Sequence, residues 1–186
     1  MSIYKGKSIN ITNTVLARAD TFHKDYKGTS YLLNSINKDE EIYIRCGYAL
    51  SDMHRIKAWN IEYNITLGIG DIVAIYPDGR LFTMYEAESS ENIFLLTDNC
   101  NQNCIMCPQP PKQVIEIYYD ETIEIIKLID KSPQVIGITG GEPMLFFDKF
   151  LDVIQAVRTL HPDTHIQVLS NGTLLKNLNQ VENLLR

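Results

Sequence analysis

From residue 93 onward, short unbroken apolar runs alternate with longer stretches whose apolar positions recur every three or four residues. Residues 93–97 (Ile-Phe-Leu-Leu-Thr), 135–139 (Val-Ile-Gly-Ile-Thr) and 166–169 (Ile-Gln-Val-Leu) read as strands, the first two buried on both faces. Apolar residues at 123, 125, 126, 128 and 129 predict a helix N-capped by Asp120 and ended by Ser132-Pro133. Phe150, Leu151, Val153, Ile154, Val157 and Leu160 predict a second helix, closed by His161-Pro162. Leu174, Leu178, Val181 and Leu185 predict a third that runs to residue 186. Apolar strands separated by helices pair in parallel through right-handed crossovers.

The first ninety residues carry another pattern. Residues 70–76 and 80–85 flank Pro77-Asp78-Gly79, a hairpin signal with glycine where the turn needs positive φ. Residues 41–48 and 61–67 also read as strands, rich in tyrosine and β-branched side chains. A small, mainly-β domain over 1–90 is expected, followed by an α/β domain over 91–186. The boundary is placed at Glu88-Ser89-Ser90-Glu91, the most polar short stretch in that region. No internal repeat and no low-complexity tract interrupts either part.

Composition narrows the function classes. The chain has 186 residues, 45% of them apolar and 22% charged, which suffices for a packed core. Its 17 basic and 23 acidic residues give a formal net charge of −6, and neither half is basic. Nothing here attracts nucleic acid or an anionic membrane non-specifically. No apolar run approaches the roughly 20 residues of a membrane span. The opening residues 1–10 are polar and lack the apolar stretch of a signal peptide. A cytoplasmic chain is expected, with neither nucleic acid nor membrane among its partners.

In a reducing compartment the four cysteines are not a disulfide framework. Three of them, Cys100, Cys104 and Cys107, follow the first strand in a C-x3-C-x2-C loop. Such a loop can gather three thiolates around one face of a 4Fe–4S cluster and leave the fourth iron open. A cluster that only carries electrons takes four cysteines, so the missing fourth implies an iron available to another ligand. Zinc is the alternative, with Cys46, His23, His54, His161 or His165 closing a tetrahedral site. Structural zinc sites more often pair two C-x2-C units, and no second unit exists here. Cys46, alone in a predicted strand, reads as a core residue.

Three motifs in order resemble the radical S-adenosylmethionine (radical SAM) superfamily. They are the C-x3-C-x2-C loop, Gly140-Gly141-Glu142-Pro143 after the second strand, and Ser170-Asn171-Gly172 after the third. The resemblance covers about residues 93–175 and implies the first three βα units of a partial (β/α) barrel, behind the mainly-β domain. It implies that Cys100, Cys104 and Cys107 ligate a 4Fe–4S cluster. Gly140, Gly141 and Glu142 would meet the amino group of S-adenosylmethionine, mainly through backbone carbonyls. Ser170 and Asn171 would lie near its ribose or carboxylate. Met106 stands where the family often has an aromatic residue beside the adenine, and keeps apolar character without a stacking face. No side chain is singled out as catalytic. The implied reaction is one-electron cleavage of S-adenosylmethionine, which generates a radical that abstracts a substrate hydrogen atom.

Within the superfamily, residues 104–112, the run 92–97 and the upstream hairpin look similar to a maturase of the His-Xaa-Ser peptide-modification system. That similarity implies a ribosomally made peptide as substrate and an electron donor such as flavodoxin or ferredoxin. Other substrates, including small molecules, stay open within the family. Outside it, the remaining reading is a zinc-binding structural or partner-recruiting module. A barrel of this kind has about six βα units, and only three fit here. The chain is therefore expected to be an N-terminal fragment, or to be completed by a partner, and to be incomplete as a catalyst.

Overall fold

A computed structural model describes residues 3–9, 11–25, 28–35, 41–47, 57–61, 66–107, 117–176 and 181–182. It divides into two compact units, Met1–Ser89 with Lys127–Lys131, and Ser90–Ile126 with Ser132–Arg186. No helix among the described residues is long and apolar enough to cross a membrane.

The first unit holds eight strands: β1 (Ile3–Lys5), β2 (Lys7–Ile9), β3 (Val15–Asp25), β4 (Gly28–Ser35), β5 (Glu41–Gly47), β6 (Lys57–Ile61), β7 (Ile72–Ile75) and β8 (Arg80–Tyr85). They form one sheet in the order β1-β8-β7-β3-β4-β5-β6-β2. Strands β1 and β2 lie at opposite ends of that order, yet only Gly6 separates them. The sheet therefore curls until its two ends meet across residues 3–9. Ala17, Ala19, Leu33, Ile42, Val73, Ile75 and Leu81 pack as its core, all fully buried. Strands β7 and β8 pair as the hairpin expected around Pro77-Asp78-Gly79, with Gly79 at φ +87°. The strand expected at 61–67 is displaced: β6 ends at Ile61, and of 62–67 only Thr66 and Leu67 are described, neither in a strand. The long β3–β4 hairpin was not foreseen.

The second unit contains β9 (Glu91–Leu95), α1 (Tyr119–Leu128), β10 (Val135–Thr139), α2 (Phe147–Leu160) and β11 (His165–Val168). β10 is the central strand, with β9 and β11 parallel on either side. Ile138 is aligned with Phe94 and Val168, so all three strands run to the same edge. Phe150, Val153 and Val157 recur every three or four residues along α2 and are buried, as are Tyr119, Thr122, Ile125 and Ile126 of α1. On β9, Asn92 and Phe94 are buried while Ile93 between them is 60% exposed. β9 is therefore buried on one face only, against the expectation of burial on both, whereas Ile136, Gly137 and Ile138 of β10 are all buried.

Two expectations are corrected here. Asp120 lies inside the first turn of α1, which starts at Tyr119, so it is not the cap. Residues 173–174 form a turn and 175–176 are irregular, so no third helix opens there. Of the remainder of that predicted helix, residues 181–182 are helical, and 177–180 and 183–186 lie outside the described residues. The proline-rich stretch 108–111 lies outside them as well.

Candidate functional site

The three sequence motifs leave the same edge of the parallel sheet. Beyond β9, Leu96 N–H donates to the Thr139 carbonyl, which extends the pairing one step past the strand. The next donors come from the turn after β10: Gly141 N–H reaches the Thr97 carbonyl and Glu142 N–H the Asn99 carbonyl, both at 2.8 Å. The double glycine is what allows this approach. A Cβ on Gly141 would overlap the Asn99 carbonyl oxygen, and one on Gly140 would lie 2.7 Å from the Thr97 oxygen. Glycine is thus required by the chain's own backbone just ahead of Cys100, and the resemblance alone gave no hint of that cause.

Glu142 is fully buried. One carboxylate oxygen accepts Met144 N–H at 3.0 Å, and the other accepts Asn171 N–H at 2.8 Å. The Ser170 hydroxyl lies 2.8 and 3.0 Å from the two oxygens. Gly172 N–H in turn donates to the Ser170 oxygen at 2.9 Å. The turns after β10 and β11 are therefore joined through one carboxylate. Beneath them, the buried Tyr119 hydroxyl donates to the Pro143 carbonyl at 2.7 Å, and burial pushes its phenol up to about 12.

A second, exposed network joins the β11 turn to the cysteine loop. Asn171 Nδ2 donates to Asn101 Oδ1 at 2.9 Å and lies 3.9 Å from Cys100 Sγ. Asn101 Nδ2 donates to Thr173 Oγ1 at 2.9 Å, and Thr173 Oγ1 donates back to Asn171 Oδ1 at 2.7 Å. Sequence reasoning missed Tyr119, Asn101 and Thr173. The periodicity of α1 marks apolar positions from 123 onward, but nothing in it shows that a tyrosine on that helix underlies a turn 24 positions away.

Cys100 is half-buried, Cys104 and Cys107 are exposed, and none of the three is in a disulfide. Cys107 N–H closes a turn on the Cys104 carbonyl. Between them Ile105 is fully exposed and Met106 is 88% exposed. Among the described residues no three Cys, His, Asp or Glu side chains converge closely enough to hold a metal ion. The fit to a cluster thus rests on the donor set: three thiols on eight residues of exposed loop, beside polar turns. The histidines of this unit do not offer the fourth ligand that zinc would need. His161 is buried, its ring nitrogens 3.2 Å from Ser132 Oγ and 3.1 Å from the Ile126 carbonyl. His165 opens β11 at the opposite edge of the sheet. His23 lies in β3 of the other unit, and His54 lies outside the described residues.

The family model of the Radical SAM superfamily matches residues 94–186, half of the chain. No curated protein and no solved structure matches it.

Proposed function

The chain belongs to the radical SAM superfamily, and from that premise we propose that it binds a 4Fe–4S cluster through Cys100, Cys104 and Cys107 and cleaves S-adenosylmethionine reductively. The observation that carries this reading is the meeting of three turns at the carboxyl edge of one parallel sheet, where open α/β sheets bind their ligands. Among the described residues, no hydrogen-bond donor reaches the carbonyl oxygens of Gly140 or Gly141. Two backbone acceptors without a protein donor suit an amino group. When bound, the cluster supplies the electron that splits S-adenosylmethionine into methionine and a 5′-deoxyadenosyl radical.

The chain's own residues do the rest. The thiols hold the cluster on a loop anchored by the Gly141 and Glu142 backbone amides. The Gly140 and Gly141 carbonyls orient the amine of the cofactor. Asn171 is exposed toward the cysteine loop and offers an amide to the ribose or carboxylate. Met106, exposed beside Cys107, offers an apolar contact to the adenine.

A ribosomally made peptide is the proposed substrate, supported by the similarity of residues 92–97 and 104–112 to the His-Xaa-Ser maturases. A flavodoxin- or ferredoxin-like protein is the proposed electron donor. The test is anaerobic reconstitution, chemical reduction and addition of S-adenosylmethionine, with 5′-deoxyadenosine read by mass spectrometry. Wild type should form it and Cys104→Ala should not. With a form that carries the further βα units of the barrel, a peptide encoded beside the gene should change mass only where Cys104 is intact. Equal 5′-deoxyadenosine from both forms would contradict the cluster assignment. 5′-Deoxyadenosine formed by that longer form without peptide modification would remove the maturase reading and leave the superfamily chemistry.

A further inference from the structure

We propose that Glu142 is a positioning residue whose buried carboxylate ties the turn after β10 to the turn after β11, fixing the spacing between the two sets of atoms that a ligand there would touch. This rests on the cofactor binding proposed above, and it takes Glu142 and Ser170 away from the cofactor and gives them a different task. The carboxylate has no exposed surface, and its hydrogen bonds come from Met144, Ser170 and Asn171 of this chain. All these donors are neutral. No lysine, arginine or histidine among the described residues pairs with it.

A buried carboxylate without a cation tolerates few missing hydrogen bonds, because each unmet oxygen carries its full desolvation cost. Both turns must therefore stay within hydrogen-bond reach of one rigid group. The Gly140 and Gly141 carbonyls directly precede Glu142. On the other side, the backbone amide of Asn171 is held at 2.8 Å while its side chain reaches toward Asn101 and Cys100. A shift of the carboxylate would move both sets of atoms. Ser170 acts through Glu142, since its hydroxyl oxygen lies within hydrogen-bond distance of both carboxylate oxygens.

Four forms of the 186-residue chain decide the proposal: wild type, Glu142→Gln, Ser170→Ala and Ser170→Thr. Without cluster, amide hydrogen exchange is read at Met144 and Asn171. After anaerobic reconstitution, S-adenosylmethionine is titrated against the electron paramagnetic resonance spectrum of the reduced protein. Ser170→Ala should speed exchange at Met144, on the opposite turn, by about tenfold, the order expected for one lost hydrogen bond to a charged group. It should weaken S-adenosylmethionine by a similar factor at unchanged iron content. Glu142→Gln should do both, because it replaces one acceptor oxygen with a donor that faces donors. Ser170→Thr, which keeps the hydroxyl, should restore both. Should Glu142→Gln fail to fold, the two serine variants carry the test. Unchanged Met144 exchange in Ser170→Ala overturns the brace. Faster exchange with an unchanged titration overturns the positioning role. No spectral response in wild type contradicts the cofactor reading instead, and the exchange data then decide the brace alone.

Discussion

The Ser170 hydroxyl lies 2.8 Å from one oxygen of the Glu142 carboxylate and 3.0 Å from the other, although the two residues stand 28 positions apart in the chain. The contact binds the second motif of the sequence to the third. Ser170→Ala is expected to lower the unfolding free energy by about 1.5 kcal/mol, the order of a hydrogen bond to a charged group. Urea unfolding measures it, and a loss below the error of the method would show that solvent replaces the hydroxyl.

Gly141 faces the backbone carbonyls of Asp98 and Asn99, where no side chain fits. Gly141→Ala must push apart two backbone segments, at an expected cost of about 1–3 kcal/mol. The same displacement carries Cys100 with it, so iron loading should fall together with the unfolding midpoint. A fully stable alanine variant would contradict the close approach.

Tyr119 gives the pH dependence. Burial first, then the nearby Glu142 charge, raise its phenol from 10.0 to about 12, so the folded chain keeps a proton that the unfolded chain loses. Its contribution is complete below pH 10 and falls away as the pH rises through 12. Tyr119→Phe should cost about 1 kcal/mol at neutral pH by losing the bond to Pro143. It should also flatten the alkaline slope of stability between pH 10 and 12. Burial raises Tyr85 too, so part of the slope remains. An unchanged slope would contradict the assignment.

The two faces of β9 predict opposite responses. Phe94 is buried and Ile93 is mostly exposed. Phe94→Ala should cost about 3–5 kcal/mol, whereas Ile93→Thr should stay within about 0.5 kcal/mol. Equal losses would mean that the open face is covered.

Much of this unit was legible because buried parallel strands need unbroken apolar runs, and 135–139 has one. The start of β9 was not, because Glu91 and Asn92 pair with β10 through their backbones and hydropathy does not record that. The β3–β4 hairpin escaped for a related reason. Its core-facing Ala17 and Ala19 are small and alternate with Arg18 and Asp20, so the stretch reads as polar. The motifs themselves could be read in order, with Cys100, Gly140, Gly141, Glu142 and Ser170 all named. Which of those side chains bond to one another could not, since that depends on three loops meeting at one sheet edge.

Metal content after anaerobic reconstitution tests the central claim most directly. The wild-type chain should hold about four irons and four sulfides, with broad absorbance near about 400 nm. Cys100→Ala, Cys104→Ala and Cys107→Ala should each lose them, and Cys46→Ala should keep them. A colourless protein with one zinc per chain, or full iron loading in Cys104→Ala, would contradict the account.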